Sequence, residues 1–563
     1  VQAKLASAAA LAGVFLGALL AAPAQNAAAT PATTPPSPAS TPPTPAATPS
    51  PTESLPPPFV VANPCPEAAP GVSVGAAQWN GWGRDPDNSR YQPEPALRAS
   101  DTPKLRLKWA YGLNGAGDNG QPSIVDGRVF TAGSTGRVYA LDARSGCTYW
   151  TFPAGAAIHG ALVVGELAAP RTVFGLRKIK LKKNAHIEVE KPPCAVFFGD
   201  EAGAVYALDA RSGQLLWKTQ ADTHPGARIT GAPALYRNRL YVPVSSREEQ
   251  FAANPSYACC TFRGSVVALD VATGHQIWKT YMSAQAPEPY HQDAAAVPSH
   301  GAAGFAVGST PTIDARREVL YVTTGGAHGD SAQPAADALV ALSLGDGAIR
   351  WVRKLGSSDQ AGDADRAPIL RDLSLLKQIL VVTDAEGVVF GLDPDRGGEP
   401  LWQSRLEIGG ESAVQWGAAA DHRSVYAQFA RDIPVARDKP AALAAPGNGL
   451  VALDLVTGKS RWAVPSPDAS CGQTPNQCRE WQSQAVTVIP GIAFSGAFDG
   501  HLRAYSTIDG KVVWDVATAR GYATVNAQQA QGGTIANGGV SIVGGTVYVN
   551  SGDALLAFSV DGK

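Results

Sequence analysis

Charge is scarce in this chain, and neither sign prevails. Asp, Glu, Lys and Arg make up 17% of the 563 residues, and the formal net charge is −2. That balance provides no basic face for nucleic acid and no pull toward an acidic membrane surface. Apolar runs are short as well: Leu5 to Leu20 falls below a comfortable membrane span. Cys-x-x-Cys-His is absent, so the chain carries no c-type haem of its own. Turn residues, by contrast, are plentiful. The 59 glycines and 44 prolines suit an all-β chain with many reversals.

One unit recurs along the chain. Gly203 to Thr219 reads GAVYALDARSGQLLWKT, with Val205, Ala207 and Asp209 on one face of a strand. Arg211-Ser212-Gly213 supplies a turn in which glycine accommodates positive φ. Trp217 follows Asp209 by eight residues, as Trp150 follows Asp142 and Trp278 follows Asp270. Ser343 with Trp351, Asp454 with Trp462 and Ser506 with Trp514 repeat the spacing; Asp393 and Trp402 add one turn residue. An eighth copy begins at Asp553 and stops at Lys563 without its Trp, while LRLKWAY (Leu105 to Tyr111) has a Trp and no preceding Leu-Asp strand. Pairing the two ends closes a ring and removes both exposed sheet edges. Such a repeat period marks an eight-bladed β-propeller. The repeated tryptophans are expected to pack between blades. Trp79, Trp82, Trp416 and Trp481 lie outside the repeat.

Residues 1–24 have the features of a secretory signal: Lys4, the apolar run, then small residues Ala22-Pro23-Ala24. The expectation is a periplasmic or secreted protein with no stable membrane span; no Cys near the cleavage site argues for a lipid anchor. Residues 25–64 read as a Pro/Thr/Ala/Ser-rich linker whose tract Thr30 to Pro58 carries one charge, Glu53, and buries no core. The propeller is expected over 65–563. RKIKLKK (Arg177 to Lys183) reads as a projecting hairpin.

Seven cysteines in an exported chain imply disulfides. Cys471 and Cys478 flank a small polar loop and are expected to pair. Cys259 and Cys260 are neighbours, and a bridge between them closes a strained ring of the kind tolerated where it serves a site. Cys65, Cys147 and Cys194 leave one pair and one free thiol.

Several stretches outside the repeat resemble the polyvinyl alcohol dehydrogenases, a branch of the quinoproteins. They are QWNGWGRDPDNSRYQP (Gln78 to Pro93), ARITGAPALYRNRLYVPVSSREE (Ala227 to Glu249), NPSYACCTFRGSVVALD (Asn254 to Asp270) and FSGAFDGHLRAYSTIDGKVVWD (Phe494 to Asp515). The resemblance implies an enzyme that oxidises secondary alcohols, including polymers, with pyrroloquinoline quinone (PQQ) held by Ca2+ at one end of the channel. The ion polarises the quinone carbonyl, a carboxylate takes the alcohol proton, and electrons pass to an external acceptor such as a soluble cytochrome c. By the same resemblance Glu248, with Glu249 beside it, matches the calcium ligand, a hard oxygen donor. Thr230, Ser245 and Ser246 match cofactor contacts, Cys259 and Cys260 the vicinal disulfide against the quinone, and Asp363, with Asp365 second, the catalytic base.

Other positions depart from that family. Gly308 stands where an aromatic floor is expected, and losing a stacked ring forgoes roughly 1–3 kcal/mol; Phe305 is the nearest substitute. Gly326, Ala327 and His328 stand where an Asn ligand is expected, with Asp330 beyond them. Asp384, Ala385 and Glu386 replace a cation, and His159 replaces an Arg. The alternative to a dehydrogenase is therefore a degenerate quinoprotein propeller that has lost PQQ and binds or scaffolds something else. The fold survives such a loss because it rests on blade packing.

Overall fold

The computed structural model describes residues 62–563 except 76–77, 116–119, 168–191, 249–250, 252–253, 255–256, 258–260, 284–304, 326–334, 357–365, 385–386, 407–411, 414–416, 432–447, 468–483, 498 and 536–537, with backbone alone at 412–413, 430–431 and 448. The signal, most of the linker and the Arg177 hairpin lie outside these residues.

The repeated Asp, Gly and Trp form one packing device. Asp142 Oδ1 accepts from the N–H and hydroxyl of Ser145 at 2.8 and 2.7 Å, and Asp454 holds Thr457 likewise at 3.0 and 2.9 Å. The turn then ends on a glycine at positive φ, 75° at Gly213 and 70° at Gly274. A Cβ at Gly213 would lie 2.6 Å from the Trp150 ring, and one at Gly274 would lie 2.7 Å from that of Trp217. Glycine is thus required twice over, by φ and by the indole beneath it. The indole also donates across the blade boundary: Trp150 Nε1 to Ala210 O at 3.2 Å, Trp217 Nε1 to Val271 O at 3.0 Å.

Eight antiparallel sheets result. Blades 1 to 7 span Ser123–Pro153, Val163–Gln220, Ala227–Tyr281, Thr312–Lys354, Ile369–Arg405, Ser412–Pro465 and Thr487–Ala517. Blade 8 combines Ser541–Val543, Thr546–Ser551 and Ala554–Val560 with Leu105–Gly112, paired from Leu105 opposite Val560 to Gly112 opposite Ala554 with one bulge between Leu107 and Trp109. Trp514 Nε1 donates to Leu105 O at 3.2 Å, carrying the blade contact across the closure. Hydroxyls on the innermost strands add a second tie. Ser541 Oγ donates to Pro122 O at 2.6 Å and Thr487 Oγ1 to Val540 O at 2.8 Å, each reaching the next blade.

Gln78 to Gln92 crosses the end of the channel where the two innermost strands of each blade turn. Trp79 exchanges backbone bonds with Ile124 of blade 1, and the Asn80 amide pairs with Val164 of blade 2. Asn88 Nδ2 donates to Thr312 Oγ1 of blade 4 at 2.8 Å. Backbone carbonyls of Asp87, Ser89 and Arg90 accept from Leu370, Ala420 and Val488 of blades 5, 6 and 7, and Gln92 Nε2 donates to Ile542 O of blade 8. The segment is a plug. At its centre the fully buried Arg90 donates to Trp82 O, Gln121 Oε1, Val486 O, Thr487 Oγ1 and Gly538 O at 2.7–3.2 Å. A guanidinium has five N–H groups, and each has a partner. Its Cζ lies 4.5 Å from the Trp82 ring centroid and 5.7 Å from that of Trp79.

Cys65 and Cys147 form a disulfide that fastens the entering chain to the outer strand of blade 1, leaving Cys194 as the buried free thiol of that trio. Cys471 and Cys478 lie outside the described residues. No helix among the described residues is long and apolar enough to cross a membrane.

Replacing Arg90 by Met leaves four backbone or side-chain oxygens of blades 1, 7 and 8 without donors. The expected loss is about 3–5 kcal/mol, read by chemical denaturation, with Arg90→Lys intermediate.

Asp87 in the plug is a second case. Burial, then the charges of Asp85, Asp372 and Asp314, push its carboxyl from 3.8 to about 7 against the pull of Arg371. The folded state therefore holds this proton more tightly than the unfolded chain, so its stabilisation is full below pH 4 and is lost as pH rises through about 7. Asp87→Asn is expected to raise Tm at pH 8 by a few degrees, from a term on the order of 2–4 kcal/mol, and to leave it unchanged at pH 4.

Candidate active site

The innermost strand of blade 3 carries the site. It runs from Ala227, paired with Ser246, to Tyr236, paired with Arg239 at the plugged end. Ala227, Arg228 and Thr230 therefore lie toward the opposite end of the channel. Ile229 faces blade 2, where a Cβ on Gly199 would meet its Cγ2 at 2.4 Å. Side chains alternate along a strand, so Arg228 and Thr230 share the other face. Arg228 pairs with the fully buried Ser245, and the Glu248 N–H donates to Ser246 Oγ at 2.9 Å. Four residues singled out from the sequence, Thr230, Ser245, Ser246 and Glu248, thus gather at the junction of two adjacent strands.

The floor beneath them is small and apolar. Trp82 of the plug packs with Ala161, Ala232, Ala367 and Ala485, one each from the inner strands of blades 2, 3, 5 and 7. Thr230 sits two residues before Ala232, on the side away from the plug. Its Oγ1 is buried and has no hydrogen-bond partner among the described residues, a cost of about 1–3 kcal/mol for a polar group left bare.

Glu248 is 2% exposed. Its Oε1 accepts from Tyr257 Oη at 2.9 Å, Thr261 N at 2.7 Å and Thr261 Oγ1 at 3.3 Å, whereas among the described residues Oε2 accepts only from Phe262 N at 2.9 Å. Burial, then the Glu248 carboxylate, pushes the Tyr257 phenol up to about 12, so it remains a donor at neutral pH. Among the described residues no three carboxylate, imidazole or thiol groups converge on one point.

The altered positions have structural roles of their own. Gly308 is buried, and its carbonyl would lie 2.4 Å from a Cβ on Gly231, so blades 3 and 4 meet there backbone to backbone. Phe305 does not substitute for the missing ring: it is 2% exposed in the core with Val266, Trp278 and Ile313. The aromatic on the axis is Trp82 instead. Asp384 closes a turn by accepting from Val388 N at 2.7 Å. His159 Nε2 lies 2.9 Å from Glu201 Oε1.

Two cations escaped the sequence reading. Arg228 stands two residues before Thr230, a spacing that already placed it on the same strand face. Arg366, 5% exposed, has Asp337 Oδ1 at 4.0 Å. Burial holds its pKa below the usual guanidinium value, opposed by the charges of Asp337 and Asp384. Nothing in the sequence pattern marked that residue. Asp363, Asp365, Glu249, Cys259, Cys260, Gly326, Ala327, His328, Asp330, Ala385, Glu386, Trp416 and Trp481 lie outside the described residues.

Residues 79–414 match the family model of the glucose/ethanol/alcohol dehydrogenase β-propeller domain, a PQQ family. The chain belongs to this family of quinoprotein propellers. Residues 385–563 match a second model, the outer membrane protein assembly factor BamB. The chain is 37% identical to a polyvinylalcohol dehydrogenase of Pseudomonas sp over 86% of its length and 77% of that protein. It is 36% identical to the polyvinylalcohol dehydrogenase of Sphingopyxis sp. (strain 113P3), over 89% and 79%. Among solved structures, the quinohemoprotein alcohol dehydrogenase of Comamonas testosteroni superposes with a TM-score of 0.61 at 18% identity, covering 86% of this chain and 81% of that one. That likeness concerns the fold.

Because the Thr230 hydroxyl has no partner among the described residues, Thr230→Val is expected to leave Tm unchanged or slightly raised. Glu248→Gln, which turns an amide N–H toward a backbone N–H, is expected to lower it by several degrees. Differential scanning calorimetry on both variants reads how much each side chain contributes to the ligand-free fold.

Proposed function

We propose that this protein is an exported PQQ-dependent dehydrogenase that oxidises secondary alcohol groups, those of a polymer included, and passes electrons to an external acceptor such as a soluble cytochrome c. The observation that carries the reading is the partnerless, buried Thr230 hydroxyl within the cluster of Arg228, Ser245, Ser246 and Glu248. Those residues fit the cofactor: a cation and hydroxyls for an anionic, oxygen-rich edge, and a buried carboxylate with one lightly used oxygen for Ca2+. PQQ, when bound, supplies a two-electron hydride acceptor.

The chain's own share is placement. Thr230, Ser245 and Arg228 hold the polar edge, Ser246 stands beside Glu248, and Cys259 and Cys260 are assigned to the cofactor by the family resemblance alone. Glu248 contributes one oxygen to the cation. Asp363 accepts the alcohol proton. The plug seals the channel behind Trp82, so substrate approaches from the other end and water is kept from the rear of the site. Gly308 favours the second reading, a propeller retired from PQQ chemistry, because the aromatic ring expected there is absent.

Titration of the signal-free protein with PQQ, with and without Ca2+, separates the two. Calcium-dependent, stoichiometric binding is expected, weakened roughly tenfold or more by Thr230→Val and by Glu248→Gln, together with dye-linked oxidation of secondary alcohols. No binding at high PQQ concentration would leave the scaffold reading in its place.

A further inference from the structure

His224 is held on every side. Its backbone N–H donates to Asp222 Oδ1 at 2.8 Å, and Asp222 Oδ2 is paired with Lys279 Nζ at 2.5 Å. The Gly226 N–H donates to His224 Nδ1 at 3.0 Å. Nδ1 is therefore the acceptor of the ring, and the proton resides on Nε2. Nε2 lies 2.9 Å from Thr261 Oγ1. Because Oγ1 accepts that proton, its own O–H is left to donate to Glu248 Oε1, 3.3 Å away. The imidazole also meets the Phe262 ring edge-on, with centroids 5.5 Å apart and planes at 72°. Phe262 supplies the N–H on Glu248 Oε2.

The two carboxylate oxygens are thereby made unequal. Oε1 has three donors within 3.3 Å and His224 Nε2 at 3.7 Å, more than its two lone-pair sites accommodate well. Oε2 has one donor among the described residues and keeps a lone pair. We propose that His224 is a positioning residue that, through Thr261, pins Oε1 and presents Oε2 as a one-oxygen ligand for a divalent cation. The relay runs Lys279, Asp222, His224, Thr261, Glu248, so the orientation of the ligand is anchored in the wall between blades 2 and 3. This inference rests on the calcium reading of Glu248. It adds that Glu248 binds through one oxygen and that an imidazole without direct metal contact decides which.

The test is a calorimetric CaCl2 titration of the signal-free protein in the presence of saturating PQQ. His224→Phe keeps the ring against Phe262 and removes the donor; His224→Gln restores a donor to Thr261. Loss of an outer partner of a metal ligand weakens binding 10–100-fold. The expected result is a Ca2+ affinity 10–100-fold weaker in His224→Phe and within about threefold of the parent in His224→Gln. Thr261→Val, which keeps the backbone N–H on Oε1 and breaks only the relay, is expected to repeat the His224→Phe loss and stands in if that variant misfolds. Parent-like affinity in both His224→Phe and Thr261→Val overturns the positioning role while leaving calcium at Glu248 intact. Parent protein that takes up no more calcium than Glu248→Gln overturns both.

Discussion

A single guanidinium holds the hub of this propeller. Arg90 is fully buried, and a buried charge is tolerable only when every donor finds an acceptor. Its partners come from blades 1, 7 and 8 and from the plug itself, the region where the two chain ends must meet. Two indoles stack on it and complete its surroundings. Without that hub, closure would rest on the pairing of Leu105–Gly112 with Ala554–Val560 and on the indole of Trp514. Edge pairing removes an exposed strand but leaves the axis of an eight-bladed ring to be filled. The plug fills it with hydrogen bonds to the inner strands of seven blades.

Filling one end makes the channel polar in the directional sense. The floor of Trp82 and four alanines is dry and close-packed, and the groups above it are hydroxyls, amides and paired charges. At the unplugged end the inner strands begin on residues that differ between blades. Thr230, Arg366 and Gln484 each precede one of the floor alanines by one or two positions, and no two are alike. The small residues after them are uniform because the same indole lies against them all. Uniform packing and variable chemistry thus alternate within three residues of the same strand.

The departures from the related dehydrogenases fit this division. Gly308 and Asp384 occupy places where a ring and a cation were expected, yet each is tied into blade geometry: the first by backbone contact with Gly231, the second by the turn to Val388. Arg228 and Arg366 carry positive charge near the same end of the channel from other strands. A site of this type depends on the sum of charges around a ligand, and one cation can be supplied from a different blade without altering the fold.

Much of the architecture was legible because it is local and repeated. Asp-x-x-Ser/Thr-Gly turns, alternating strands and an indole eight residues on depend on neighbours in sequence, so each copy announces the next. Thr230, Ser245, Ser246 and Glu248 were legible only through the family resemblance, and a hairpin joins the strands that carry them. Four things were not. Trp82 and Arg90 lay in a stretch that carried the family resemblance but showed no structural role, because their partners lie up to 448 residues away. The pairing of Cys65 with Cys147 rather than Cys194 depended on which strand lies beside the entering chain. Phe305 looked available and proved to be core. Arg366 carried no pattern at all. The sequence alone determined the blade, the count of blades and the family, since these follow from short-range periodicity. The tertiary structure decided which end of the channel is plugged, how the donors divide between the two oxygens of Glu248 and where Arg228 and Arg366 stand, because those are set by residues that meet only after the ring has closed.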